Sequence, residues 1–114
     1  MLSLEKLAAR TSIERKGDPL TRSEVERYLQ SLPGWNLKDG SIDKEFRFKS
    51  YIEGLAFANE IGKIAEGQNH HPDILIKWRR VILTLSTHSV KGLSENDFIL
   101  AAKSELKYRE SMPS

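Results

Sequence analysis

The chain predicts an α+β domain: a four-stranded antiparallel sheet with helices packed on one face, in the order α-β-β-α-β-β-α. Three observations carry that prediction. Thr21 with Glu24, and Ser50 with Glu53, have capping-box spacing, and each opens an apolar stripe of helical period. Two pairs of short β-rich segments fall after these stripes, and a third helical stretch follows the second pair. Hairpins that alternate with helices form antiparallel sheets whose helices gather on one side.

The elements follow in order. Residues 1–19 read as a weakly structured lead-in that ends at Gly17-Asp18-Pro19. Leu4, Leu7 and Ala8 could make one helical stripe, too short to be stable alone. The first firm helix starts at Thr21, with Leu20 and Val25 at hydrophobic-staple spacing, and Val25, Leu29 and Leu32 on one face. Pro33-Gly34 stops it. Trp35 to Lys38 and Ile42 to Lys49 read as strands joined through Asp39-Gly40, a strong hairpin signal. The long helix from Ser50 to about Gly67 carries the stripe Gly54, Phe57, Ala58, Ile61, Ile64 and Ala65. Ile74 to Trp78 and Val81 to His88 form the second strand pair. Ser94 then caps a last helix to about Arg109, with Asp97 at its third position and Leu93 and Phe98 at staple spacing. Residues 20–110 thus make a single domain, and residues 111–114 a frayed tail.

Composition narrows the function classes. The 114 residues are 39% hydrophobic and 30% charged, with a net charge of +2, which gives no basic footprint for nucleic acid. No segment approaches a membrane span. Glu5, Lys6 and Arg10 interrupt the apolar region a secretory signal would need, so a cytoplasmic location is expected. An organellar presequence is the minor alternative. Cysteine is absent, which excludes thiol nucleophiles and disulfides. There is no Gly-rich phosphate loop and no G-x-S-x-G. Lys77, Arg79 and Arg80 read as a solvated hairpin tip. Trp35 and Trp78 could stack on a heterocycle, although packing is the commoner use.

The three histidines, His70, His71 and His88, are where proton chemistry near neutral pH could reside. Pro72 biases His71 toward extended backbone, so His70 and His71 should point apart. With Arg79 and Arg80 as turn residues, cross-strand pairing would set Trp78 opposite Val81 and His71 opposite His88, their Cβ atoms roughly 5 Å apart. Zinc fits poorly: His70-His71 with a distant His88 has no recognised ligand spacing, and no metal is expected. Asp97 already has an explanation as a carboxylate in a first helical turn. Glu66, near a helix C-terminus, runs against the helix dipole and so hints at another role.

Glu66-x-x-x-His70-His71-Pro72, Thr87-His88 and Gly92-Leu93-Ser94-x-x-Asp97 together resemble the signature of the pterin-4a-carbinolamine dehydratases. Pro33-Gly34-Trp35, Phe46-Arg47-Phe48 and Asp97-Phe98-Ile99-x-Ala101-Ala102 extend the likeness over about Leu20 to Leu106. The resemblance implies the same sheet with helices on one side. It further implies dehydration of 4a-hydroxytetrahydropterin to the quinonoid dihydropterin, recycling the cofactor of aromatic amino-acid hydroxylases. No metal or dissociable cofactor is implied. The expected partners are the pterin substrate, a second copy or copies in a homodimer or homotetramer, and a hydroxylase in the same pathway.

On that basis His70, His71 and His88 are the candidate catalytic residues. Glu66, Pro72, Ser86, Thr87 and Asp97 are expected to bind substrate or support the site. His70 and His88 would serve as the acid/base pair on either face of the pterin, His71 would orient the ring, and Asp97 would hold a histidine in one tautomer. The alternatives are a protein-binding or dimerisation module on the same fold, and an enzyme acting on a different pterin.

Overall fold

The computed structural model describes residues 2–111. Its elements are α1 (Leu4–Ala8), α2 (Arg22–Leu29), β1 (Asn36–Lys38), β2 (Ser41–Arg47), α3 (Tyr51–Gln68), β3 (Asp73–Lys77), β4 (Arg80–Leu85), a 3-10 turn (His88–Val90) and α4 (Glu95–Ser111). The four strands form one antiparallel sheet in the order β1-β2-β4-β3. Ser111 closes α4, and the rest of the expected tail, 112–114, lies outside the described residues.

Local sequence signals build most of these elements. Thr21 and Glu24 form the reciprocal capping box of α2, and Ser50 caps α3 by accepting from the Glu53 N–H. Asp39 and Gly40 both have positive φ, 38° and 84°, as the type I′ turn between β1 and β2 requires. Gln68 ends α3, and Asn69 follows in the left-handed conformation that asparagine tolerates better than most residues.

One face of the sheet is the core face. Ile42 and Phe46 of β2 and Val81, Leu83 and Leu85 of β4 are all buried there, under α3 and α4. Tyr108 meets Phe46, Phe48 and Phe57 edge to face, and Phe57 lies tilted against Phe46 and Phe48, with ring centroids 5.0–5.8 Å apart, tying the sheet to both helices. Gly54 faces the sheet, where a Cβ would stand at ordinary contact distance, 3.4 Å from Val81 and 3.6 Å from Phe48. The buried carboxylate of Glu105 is satisfied by the Trp35 indole N–H and by the Lys44 ammonium. Trp35 is therefore a core residue, whereas Trp78 is 72% exposed.

Two expectations are corrected. The β3–β4 turn is Trp78-Arg79, not Arg79-Arg80, so Lys77 pairs with Arg80 and Ile74 with Leu83. The register thus differs by two residues, which preserves which face each side chain takes. His88 is not on a strand. β4 ends at Leu85, and His88 begins the 3-10 turn, so strand pairing does not set it against His71. The lead-in also proves more ordered than its own sequence predicts. α1 buries Leu4, Leu7 and Ala8 against α4, and the Lys103 ammonium donates to the Ala8 carbonyl at 2.7 Å.

Candidate active site

His70 is positioned by the way α3 ends. With Asn69 left-handed, its N–H reaches the Glu66 carbonyl (3.3 Å) and the His70 N–H reaches the Ala65 carbonyl (3.2 Å), the paired bonds of a Schellman motif. That fixes the His70 backbone as it leaves the helix. Its ring, with the side chain 11% exposed, turns inward until Nε2 is 2.6 Å from Asp97 Oδ1. His71 turns the other way and places Nε2 2.5 Å from Glu66 Oε1, in a pair that is open to solvent. The two adjacent histidines do point apart. Each meets a different carboxylate.

Asp97 is fully buried and serves several groups at once. Its Oδ2 accepts from the Ser94 N–H (2.9 Å) and from the Thr87 hydroxyl (2.7 Å). The first bond is a capping interaction at the start of α4; the Asn96 N–H completes the cap by donating to Ser94 Oγ at 3.2 Å. Cap and histidine contact are therefore made by the same carboxylate.

Donor counting orients the network. A carboxylate only accepts, so Thr87 gives its one hydroxyl proton to Asp97. The Ser94 hydroxyl, 2.8 Å from Thr87 Oγ1, must then donate to it. By the same count His70 Nε2 carries a proton toward Asp97, which leaves Nδ1 of the neutral ring as an acceptor.

Thr87 also explains how His88 is held. Thr87 is buried, exchanges backbone bonds with Gly92 (2.8 and 3.4 Å), and closes a short loop that contains the 3-10 turn. His88 is exposed on that loop, one residue from a side chain bound to the carboxylate that holds His70. The connection between His70 and His88 is thus Asp97–Thr87 and not a strand register. Ser86, half-buried, leads into the loop, and Pro72 leads from His71 into β3.

A groove of about 450 Å³ opens between α3 and β3, lined by Asn59, Gly62, Lys63, Glu66, His71 and Ile74. A larger cleft of about 700 Å³ lies between α2 and the β1–β2 turn, beside Arg22, Lys38 and Lys91. It contains no histidine, so chemistry and not volume selects the site. Among the described residues, no cluster of three or more His, Cys, Asp or Glu side chains could hold a metal. No helix among them is long and apolar enough to cross a membrane.

Sequence reasoning passed over Asn96 and Ser94's hydroxyl as parts of this network. Asn96 lies next to Asp97 in the chain, but its partners are in the lead-in, 83 residues away, and no local pattern announces them.

Comparison with known proteins identifies the family. Residues 18–106 match the family model described as pterin 4 alpha carbinolamine dehydratase. A protein of Rubrobacter xylanophilus with the provisional name pterin-4-alpha-carbinolamine dehydratase is 43% identical over 103 residues, covering 88% of this chain and 96% of its own. One of Alkaliphilus metalliredigens, with the same provisional name, is 43% identical over 94 residues, covering 81% and 85%. Among solved structures, a transcriptional coactivator/pterin dehydratase from Brucella melitensis superposes with a TM-score of 0.76 at 34% identity, over 79% of this chain and 98% of that one. A pterin dehydratase-like RuBisCO assembly factor of the alpha-carboxysome shares the fold, with a TM-score of 0.55 at 24% identity over 65% of this chain and 86% of its own. With residues 18–106 matched by the family model and relatives 43% identical over most of its length, the chain belongs to the pterin 4 alpha carbinolamine dehydratase family.

Proposed function

We propose that this protein eliminates water from 4a-hydroxytetrahydropterin, giving the quinonoid dihydropterin and so returning the pterin to use by aromatic amino-acid hydroxylases. In the reaction the C4a–O bond breaks, the hydroxyl leaves as water after receiving a proton, and the N5 proton departs as the C4a=N5 double bond forms. The chemistry needs one acid and one base and is neutral in electrons, so no redox partner enters.

The observation that carries the reading is the His70–Asp97 pair. With Nε2–H committed to Asp97 at 2.6 Å, Nδ1 of His70 is the nitrogen that can take the N5 proton. The imidazolium that results is stabilised by the buried carboxylate, and Asp97 acts as a positioning residue. His88, on the loop that Thr87 anchors to the same carboxylate, supplies the proton to the leaving oxygen. His71, with Glu66, binds and orients the ring from the solvent side. Positioned proton-transfer groups contribute about 10²–10⁴-fold each.

The edge of the sheet supports assembly into a homo-oligomer. Among the described residues β3 pairs only with β4, and Leu75 (53% exposed) and Ile76 lie along it. An apolar edge strand is a template for a second chain.

The deciding experiment is stopped-flow observation of 4a-hydroxytetrahydropterin decay with and without the protein. A rate that rises in proportion to protein concentration is expected. Decay indistinguishable from buffer removes the dehydratase reading and leaves the binding-module alternative.

A further inference from the structure

The segment between α1 and α2 crosses the site from behind. Ser12 donates its N–H to Gln68 Oε1 at 2.8 Å, two residues before His70. Ile13 then pairs with the Asn96 side chain in both directions: its N–H donates to Oδ1 (3.2 Å), and its carbonyl accepts from Nδ2 (2.6 Å). Arg15 adds an Nε bond to the same Oδ1 (3.1 Å) and an ion pair with Glu95 at 3.3 Å, and Arg10 pairs with Glu95 as well. One strap, Arg10–Arg15, is therefore bonded both to the end of α3 that carries His70 and to the first turn of α4 that carries Asp97. It lies outside the family-matched residues 18–106.

Asn96 is the knot. It is 5% exposed, and its amide makes three hydrogen bonds to the strap while its own N–H donates to Ser94 Oγ. From Ser94 the chain of hydroxyl donors runs through Thr87 to Asp97, and Asp97 meets His70. Asn96 joins this chain through its backbone N–H, so loss of its side-chain bonds to the strap reaches Ser94, Thr87 and Asp97 by moving the backbone of the first turn of α4.

We infer that Asn96 is a positioning residue of the dehydratase site, through which the N-terminal strap sets the geometry of Asp97 against His70. The inference rests on the dehydratase reading for its kinetic arm only. Its structural arm stands on the hydrogen bonds themselves.

The test is Asn96→Ala, compared with Asn96→Asp, which keeps the acceptor for Ile13 and Arg15. Because misplacing a catalytic group by about 1 Å can cost 10²-fold, Asn96→Ala should lower kcat by about 10–100-fold while KM stays within about twofold. In the substrate-free protein, the proton and ¹⁵N resonances of His70 Nε2–H should shift in Asn96→Ala. Asn96→Asp should restore both only in part, because its second carboxylate oxygen would stand against the Ile13 carbonyl where Asn96 Nδ2 donates. Gln68→Ala removes the other anchor at a position where alanine favours the helix, so it keeps the idea testable if Asn96→Ala does not fold. It should shift the same resonances by a smaller amount. Unchanged His70 resonances in both alanine variants, or in Gln68→Ala alone if Asn96→Ala is unfolded, overturn the inference whatever happens to thermal stability. Absence of dehydration by the unmodified protein would overturn the function instead, and the resonances would still decide the strap.

Discussion

His70 Nε2 and Asp97 Oδ1 are 2.6 Å apart, across 27 residues of sequence and the meeting of two helix ends. Asp97 contributes three things there: a cap for α4, an acceptor for Thr87, and a carboxylate oxygen within hydrogen-bond reach of His70 Nε2. These roles separate under mutation.

Asp97→Asn can still accept from Ser94 and Thr87 through its one oxygen, so the domain should fold. Its amide nitrogen would face His70 Nε2 as a donor, which forces the proton onto Nδ1 and removes the base. We expect kcat to fall by about 10²–10⁴-fold, the range for a lost proton-transfer group. Asp97→Ala additionally strands the buried Ser94 N–H and Thr87 O–H, at about 1–3 kcal/mol each, and should lower the denaturant midpoint markedly. Near-normal kcat in Asp97→Asn would refute the tautomer argument.

The exposed histidines should behave differently. The His71–Glu66 pair has side chains 54% and 79% exposed, so Glu66→Gln should change stability by no more than about 1 kcal/mol. His71→Ala should raise KM more than it lowers kcat, as expected of a group that orients the ring. His88→Ala should lower kcat instead. If it kept full kcat, the pairing of His88 with His70 would be wrong.

How far the sequence foretold these features depends on whether the signal was local. The capping pairs Thr21/Glu24 and Ser50/Glu53 and the Asp39-Gly40 turn were legible because each acts within four residues. The β3–β4 register was misjudged by two because neither Trp78 nor Arg79 adopts the positive φ that marks the readable hairpin turns. Asp97 was recognised as a cap, but its simultaneous hold on His70 depends on where α3 ends relative to α4. The strap was illegible for a further reason: Ser12 and Ile13 bond through their backbone, so their side chains leave no pattern. Leu4, Leu7 and Ala8 are too short a stripe to specify α1; the surface of α4 supplies what they lack.

The capping box of α2 predicts an acid-sensitive contribution. The Thr21 N–H and hydroxyl hold the Glu24 carboxyl below its ordinary range. A folded pKa below the unfolded one means the contribution is complete above the unfolded value and is lost as pH falls through the folded one. Glu24→Gln should therefore flatten the acid side of the Tm-against-pH curve while leaving the neutral side nearly parallel. Identical acid limbs for the two proteins would contradict this.

The β3 edge predicts assembly. Sedimentation or light scattering should give a mass of two or four chains. Ile76→Lys, which places a charge on the 37%-exposed edge residue, should shift that mass toward one chain. A native monomer would show that the edge is tolerated uncovered.

Gly92 offers a separate handle on the His88 loop. It closes that loop through its bonds with Thr87, and a Cβ there would stand 2.8 Å from Pro19 Cβ and 3.3 Å from Pro19 Cγ. The proline ring cannot rotate away as a flexible side chain would, and Leu20 is bonded through its N–H to the Leu93 carbonyl, so the two segments are fastened to each other. Gly92→Ala must therefore displace the loop, the Pro19 segment or both, at about 1–3 kcal/mol, the usual cost of overpacking. Gly62→Ala is the control: nothing lies within 4 Å of its Cβ, and replacing a helical glycine should stabilise by about 1 kcal/mol. Because the displaced loop carries His88 and is closed by Thr87, whose hydroxyl donates to Asp97, Gly92→Ala should lower kcat and also shift the His70 Nε2–H resonance. A resonance that stays in place would mean that the loop moves independently of the Asp97 network.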